Sequence, residues 1–186
     1  MKRVLQFSLA ALVFGQITAH AGIGTVFVQN NNGGTIVPLF DGDGRTILKG
    51  DNYSVGVFVN NGGYGGSLGA QVGSIMSLDA RNGRFNGGLQ EVPGSLAGGT
   101  ASLIVVAWDN RFGVDYNSAV VRGQSVPFQS PTLGGDVDDN PSTPAATALS
   151  MALNFKSFAF QIIPEPSALA MAALGLGGLL FISCRK

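Results

Sequence analysis

Residues 100–108 limit the possible folds more than any other stretch of this sequence. Every side chain from Leu103 to Trp108 is apolar. In an extended strand, successive side chains point to opposite faces, so Leu103 and Val105 lie on one face while Ile104 and Trp108 lie on the other. Because both faces are apolar, we expect a central strand that is covered on both sides.

Other short apolar runs, separated by Gly- and Asn-rich segments, predict further strands. Residues 53–59 and 156–162 show the clearest period-two alternation. Additional strands are expected at 24–29, 35–40, 68–78, 87–92, 118–122 and 126–129. Only a short helix, at 145–153, is expected. Eight or nine strands with Gly-rich turns predict a single all-β antiparallel sandwich of Ig-like or jelly-roll type over residues 22–162.

The content of charged and reactive side chains excludes several classes of function. Residues 22–163 contain seven basic and ten acidic side chains, a net charge of −3, which is no basic footprint for nucleic acid. The only histidine is His20 and the only cysteine is Cys184, so this region has neither. Disulfides, His/Cys zinc sites and Ser-His-Asp or Cys-His catalysis are therefore excluded there. We expect a protein that is not an enzyme.

An acidic segment offers two interpretations, a cation site or a turn. Asp41, Asp43 and Asp51 would supply the hard oxygen ligands that calcium prefers. The spacing is not that of an EF-hand loop, because Arg45 stands where a further ligand would be needed. Asp-Gly pairs are common in turns, so the sequence favours a hairpin turn over calcium or any other metal.

Two further acidic features are candidate sites. A second acidic cluster, Asp136, Asp138 and Asp139, falls in a predicted long loop at 133–146, where a solvated loop is favoured over a cation site. Carboxylate pairs hydrolyse glycosides, but Glu91 is the only glutamate in the predicted domain and shows no substrate-shaping surroundings.

Aromatic side chains raise the alternative of sugar binding. Trp108 ends an apolar strand, and a tryptophan in that position is usually packed, so we expect it to lie in the core between two sheets. It would stack on a sugar only if exposed. Tyr64 and Tyr116 fall in predicted loops and are the other candidates for sugar contact.

The first 21 residues predict a secretory signal peptide. A basic pair precedes a mostly apolar stretch at 4–17, and Ala19 and Ala21 form a small-x-small cleavage site before Gly22. No cysteine follows the site, so a lipoprotein signal is not expected. The sequence thus predicts export through the Sec translocon, with cleavage before Gly22.

The last 24 residues predict a membrane helix that is preceded by a rigid, proline-containing segment. Residues 168–184 are apolar throughout apart from Ser183. At 1.5 Å per residue their 17 positions span about 26 Å, close to the roughly 30 Å of a bilayer core. Prolines precede the run, and Arg185 and Lys186 follow it as a basic end that stays on the cytoplasmic side.

The tail also carries a resemblance to a known signal. Pro164, Glu165, Pro166 and Ser167, followed by the apolar helix and the basic end, resemble the PEP-CTERM sorting signal of Gram-negative bacteria. The resemblance covers residues 163–186. It implies that exosortase processes the protein, which would be a single-pass inner-membrane protein first and a cell-surface or extracellular protein afterwards.

The expected function follows from this resemblance rather than from the middle of the chain. It implies a structural or adhesive protein of the cell surface or the exopolysaccharide matrix. The alternative is a surface carbohydrate-binding module. Segments 37–44 and 107–109 are also similar to segments of small proteins with this tail, a likeness that implies no activity.

Overall fold

A computed structural model describes residues 22–62, 68–135 and 147–162. The predicted signal peptide, the predicted tail and most of the 133–146 loop lie outside the described residues. The strands are β1 Ile23–Gln29, β2 Asn31–Asn32, β3 Thr35–Ile36, β4 Tyr53–Asn60, β5 Leu68–Gln71, β6 Met76–Ser77, β7 Asn86–Leu96, β8 Ser102–Asp109, β9 Val121–Gln124, β10 Phe128–Gln129 and β11 Gln161–Ile162. All strand pairs are antiparallel. The prediction of an all-β antiparallel fold is confirmed.

The largest sheet has the order β11-β9-β8-β4-β5, with β10 beside β8 and β6 beside β4. Strand β8 lies at its centre, and its side chains are buried on both faces from Leu103 to Asp109. This arrangement confirms the prediction of a central strand covered on both sides.

A second ladder joins β1 and β7 and contributes to the main core. Val26 and Val28 of β1 and Val92 of β7 are fully or almost fully buried. They belong to one hydrophobic cluster with the inward side chains of β4 and β8, among them Val55, Val57, Leu103, Val105 and Ala107. The core therefore takes side chains from both sheets.

A buried asparagine connects three segments at the edge of this core. The side chain of Asn30 donates to the carbonyl oxygens of Val37 at 3.0 Å and Gly83 at 3.1 Å, and accepts from the Phe85 N–H at 2.9 Å. Asn30 is 0% exposed. Its amide thus satisfies backbone groups that have no strand partner, as buried polar groups require.

Several predicted strand limits were wrong. Residues 68–78 form two short strands, β5 and β6, because Gly73 turns the chain with a φ of +71° between them. Gly123 does not end a strand but lies inside β9. The strands predicted at 35–40 and 156–162 are regular only over β3 and β11, respectively. Elsewhere in these two segments, Phe40 and Ala159 form an isolated bridge with each other.

Helical structure is limited to two short 3₁₀ turns within the described residues, Asn110–Phe112 and Met151–Leu153. The predicted short helix at 145–153 is thus reduced to one turn, while residues 136–146 lie outside the description. No described helix is long and apolar enough to cross a membrane. The predicted membrane helix at 168–184 is not among the residues described.

Candidate functional site

The outer face of the large sheet, turned away from the main core, carries side chains aligned by the strand register. Trp108 lies between Ser54 on β4 and Arg122 on β9. Phe58 and Ile104 form a neighbouring pair on the same face. These residues alternate with the side chains that fill the main core, so the sheet presents a second partly apolar surface.

Trp108 lies on this outer face, so the prediction that it packs between two sheets was wrong. It is 4% exposed and belongs to a small separate cluster with Ile104, Val106 and Ala119. The segment that follows β8 covers it, and the Tyr116 ring packs edge-on at 6.5 Å between centroids. Because both faces of β8 are apolar, the sequence pattern could not assign the Trp108 face. Its burial also removes it as a sugar-stacking platform.

A groove of about 490 Å³, the outer-face groove, lies over the cluster that contains Trp108. Its apolar lining comes from Phe58, Leu68, Ile75, Trp108, Val114 and Tyr116, and its polar lining from Ser54, Gln71, Asp115 and Asn117. Gly56 makes room for this arrangement, because a Cβ there would lie 2.7 Å from the Phe58 ring and 2.9 Å from Ile75. The buried Trp108 indole N–H has no hydrogen-bond partner among the described residues.

Tyr116 forms the wall between this groove and a smaller one of about 290 Å³. Its hydroxyl donates to Gln124 Oε1 at 2.9 Å, and the Arg122 guanidinium lies 5.0 Å from its ring centroid. Burial raises the pKa of Tyr116, although the nearby Arg122 charge opposes the shift. The phenol is therefore neutral at pH 7 and acts as a fixed hydrogen-bond donor.

Asp115, at the rim of the groove, is held in its ionised form. Its carboxylate accepts from the backbone N–H groups of Ser118 at 2.8 Å and Asn117 at 2.9 Å. These hydrogen bonds lower the pKa of Asp115, and the one from the Ser118 N–H has the largest effect. A carboxyl group with a lowered pKa is a poor proton donor at neutral pH, so Asp115 closes a turn rather than serving as a general acid.

A third concave feature, the exit groove, lies at the end of β8 and has a volume of about 240 Å³. Asp109 lies in it with its side chain 3% exposed and forms a bidentate ion pair with Arg111, with 2.6 Å between Nη2 and Oδ2. The Arg111 side chain lowers the pKa of Asp109 despite burial. Asp109 also accepts from the Arg111 N–H, which caps the 3₁₀ turn. The other lining residues are Asp41, Gly42, Tyr53, Phe112, Val121, Phe160, Gln161 and Ile162.

Sequence reasoning did not single out this ion pair. The available signal was an aspartate directly after an apolar strand, a position at which Asp side chains commonly accept backbone N–H groups.

The structure places the candidate calcium residues in turn geometry. Asp43 accepts from the N–H groups of Arg45 and Thr46, both at 2.8 Å, and from the Thr46 hydroxyl at 2.6 Å. These hydrogen bonds lower the pKa of Asp43, and the one from the Thr46 hydroxyl has the largest effect. Asp41 accepts from the Gly42 N–H at 2.7 Å. Within the described residues, no group of three carboxylate, imidazole or thiol side chains, Asp51 included, is placed to hold a metal.

The remaining sequence candidates are dispersed or not described. Glu91 is exposed on β7, where it pairs with Thr25. The following candidates lie outside the described residues: Tyr64, Asp136, Asp138, Asp139, the cleavage-site alanines and the sorting motif.

Comparisons with known proteins return no relative for this chain. No protein-family model matches it, and no curated protein or solved structure matches it either.

Proposed function

We propose that this chain is an exported structural or adhesive protein of the cell surface or extracellular matrix, sorted by exosortase. The observation that carries the proposal is the order of features after residue 163. Pro164, Glu165 and Pro166 precede a 17-residue apolar run, and Arg185 and Lys186 follow it. The signal-like residues 1–21 support the same route.

The positions of the first and last described strands are compatible with this division of the chain. Strand β1 begins at Ile23, one residue after the predicted cleavage junction at Gly22, so cleavage there would leave the strand whole. Strand β11 consists of Gln161 and Ile162, so removal of the chain from Pro164 onward would leave every described strand in place.

We infer a sandwich architecture for this domain. The β1–β7 ladder and the large sheet bury their side chains in one shared cluster, as two packed layers would.

The proposal is tested by fractionating the native host and measuring intact masses. We expect an extracellular species that begins at Gly22 and ends between Pro164 and Ser167. Replacing Pro164, Glu165 and Pro166 with alanine should leave full-length chain in the membrane. Unchanged processing of that variant, or wild-type protein found only in the inner membrane with Lys186 still attached, would contradict the sorting role.

A second candidate function, carbohydrate binding, is favoured by the outer-face groove. Half-buried Phe58 and Tyr116 lie there beside the amide side chains of Gln71 and Asn117. Aromatic rings next to hydrogen-bonding amides are the usual lining of a small-molecule site.

The variant that tests carbohydrate binding is Tyr116→Ala, with Leu96→Ala on β7 as the matched control. If the groove binds the host's exopolysaccharide, Tyr116→Ala should weaken binding about tenfold, or roughly 1.4 kcal/mol. Leu96→Ala should leave it unchanged. Equal binding by all three proteins would reject this groove as the binding site, and no binding by the wild type would reject the carbohydrate-binding function. Neither outcome would affect the sorting proposal.

A further inference from the structure

The end of the domain from which the tail leaves carries two exposed apolar side chains, Phe112 and Ile162, and a third, Val114, follows Phe112 by two residues and lines the outer-face groove. Phe112 is 50% exposed, Val114 88% and Ile162 78%. Phe112 and Ile162 line the exit groove together. The backbone joins them closely, because the Phe112 carbonyl accepts from Val120 while the next residue, Val121, pairs with Ile162.

The chain outside the structure continues from Ile162 by a short connection. Six peptide steps lead from Ile162 to Ala168, where the apolar run begins. Fully extended, they reach about 20 Å. Pro164 and Pro166 favour an extended conformation, so the connection is also stiff.

The size of the domain makes this tether restrictive. A folded unit of about 140 residues has a radius of gyration of roughly 14 Å, hence a diameter of about 37 Å. A tether of about 20 Å, part of which crosses the lipid headgroup layer, cannot let the far side of the domain reach the bilayer. The surface around Ile162 is therefore the one held against the membrane.

One partly exposed arginine at this end suits a lipid interface, and the exit groove beside it also holds the carboxylates of Asp109 and Asp41. The Arg111 side chain is 54% exposed, and its guanidinium lies 5.7 Å from the Phe112 ring centroid. Asp109 accepts hydrogen bonds from its Nε and Nη2 groups, which fixes the orientation of the guanidinium. An arginine beside exposed apolar side chains places its stem on lipid and its charged head at the phosphates.

We propose that Phe112, Val114 and Ile162, with Arg111, form a contact surface for the lipid bilayer that holds residues 168–184. This inference rests on the proposed function, since it takes the tail as a membrane helix. The surface would orient the domain while the tail is intact, with the exit groove and the Pro164–Ser167 segment at the membrane where a membrane-embedded enzyme acts. Removal of the tail would then release the surface.

The experiment uses the full chain, with Cys184→Ser, reconstituted into vesicles of phosphatidylethanolamine and phosphatidylglycerol. Single cysteines at three sites, Val114→Cys, Leu96→Cys and Leu176→Cys, carry a fluorescent label, and nitroxide-bearing lipids quench it. Leu96 is a matched control: it is 60% exposed and precedes β8, whereas Val114 follows β8, so the strand separates the two sites. Urea unfolding midpoints equal to that of the Cys184→Ser parent verify that each variant is folded.

We expect quenching at positions 114 and 176 to be several-fold stronger than at 96. Strong quenching at 176 with equal, weak quenching at 114 and 96 would overturn the contact surface while leaving the tail in the membrane. Equal, strong quenching at 114 and 96 would overturn the assignment of one contacting side. Absence of quenching at 176 would overturn both the inference and the membrane tail on which it rests.

Discussion

Replacing Asn30 with alanine should destabilise the domain more than any exposed polar substitution. The change removes the acceptor for the Phe85 N–H and the donors to the Gly83 and Val37 carbonyls. A buried polar group left without a partner costs about 1–3 kcal/mol. The Phe85 and Gly83 contacts are buried and the Val37 contact is partly buried, so we expect a loss of about 4 kcal/mol in the free energy of unfolding.

The assay is urea unfolding of the full chain in detergent, followed by the fluorescence of Trp108, the only tryptophan and a buried one. The matched control is Asn32→Ala, an exposed asparagine close to Asn30, which should change stability by less than about 0.5 kcal/mol. If Asn30→Ala loses less than about 1 kcal/mol, or no more than Asn32→Ala, the Asn30 amide does not hold these segments together and the reasoning is refuted.

Three other substitutions test separate features. Gly83→Ala should lower the free energy of unfolding, measured with urea, by more than about 2 kcal/mol, because φ is +69° and a Cβ would lie 2.3 Å from a backbone oxygen. The control Gly33→Ala, where φ is +56° and no atom is near, should lower it by only about 1 kcal/mol. Asp109→Asn should cost on the order of 1 kcal/mol at pH 7. Arg111 holds the folded-state pKa of Asp109 below its unfolded value of about 3.9, so the wild type loses this contribution as pH falls through the folded-state pKa. The free energies of unfolding of the wild type and Asp109→Asn should therefore converge at low pH. A difference between them that stays constant down to pH 2 would contradict this. Trp108→Ala should cost about 3–5 kcal/mol, and a near-neutral effect in calorimetry would refute its packing role.

How well each strand could be predicted depended on how local its signal was. Strands β4 and β8 were foreseeable because their own alternation or continuous apolarity forces an extended, buried chain. Residues 156–162 alternate just as clearly, yet only Gln161–Ile162 is regular strand. The backbone of 158–160 bonds instead to Phe40 in an isolated bridge, and such pairing depends on distant residues that no local pattern encodes.

The candidate site shows the same limit. Burial of Trp108 followed from its place in an apolar strand, but the covering layer comes from a polar-looking segment with Tyr116 and Ala119. Residues 113–117 have the period of neither a strand nor a helix, and the strand predicted at 118–122 begins only at Val121, so the position of this segment over the sheet could not be predicted. The Asp109–Arg111 pair was missed for a related reason: its i, i+2 spacing is common, and only burial makes it distinctive.

The two predicted processing sites have different mechanical relations to the fold. Near the first, the Gly22 carbonyl accepts from the Ala97 N–H, and Val26 and Val28 are buried in the main core. Detaching β1 to expose that junction would open the core, so we expect cleavage before Gly22 to precede folding.

At the other end, β11 is a two-residue edge strand whose residues are both exposed. It can separate from β9 at little cost in buried surface and lengthen the tether by two residues, roughly 7 Å. Under the proposed sorting, the tail would therefore be cut from a folded domain, and that domain would reach the matrix already assembled.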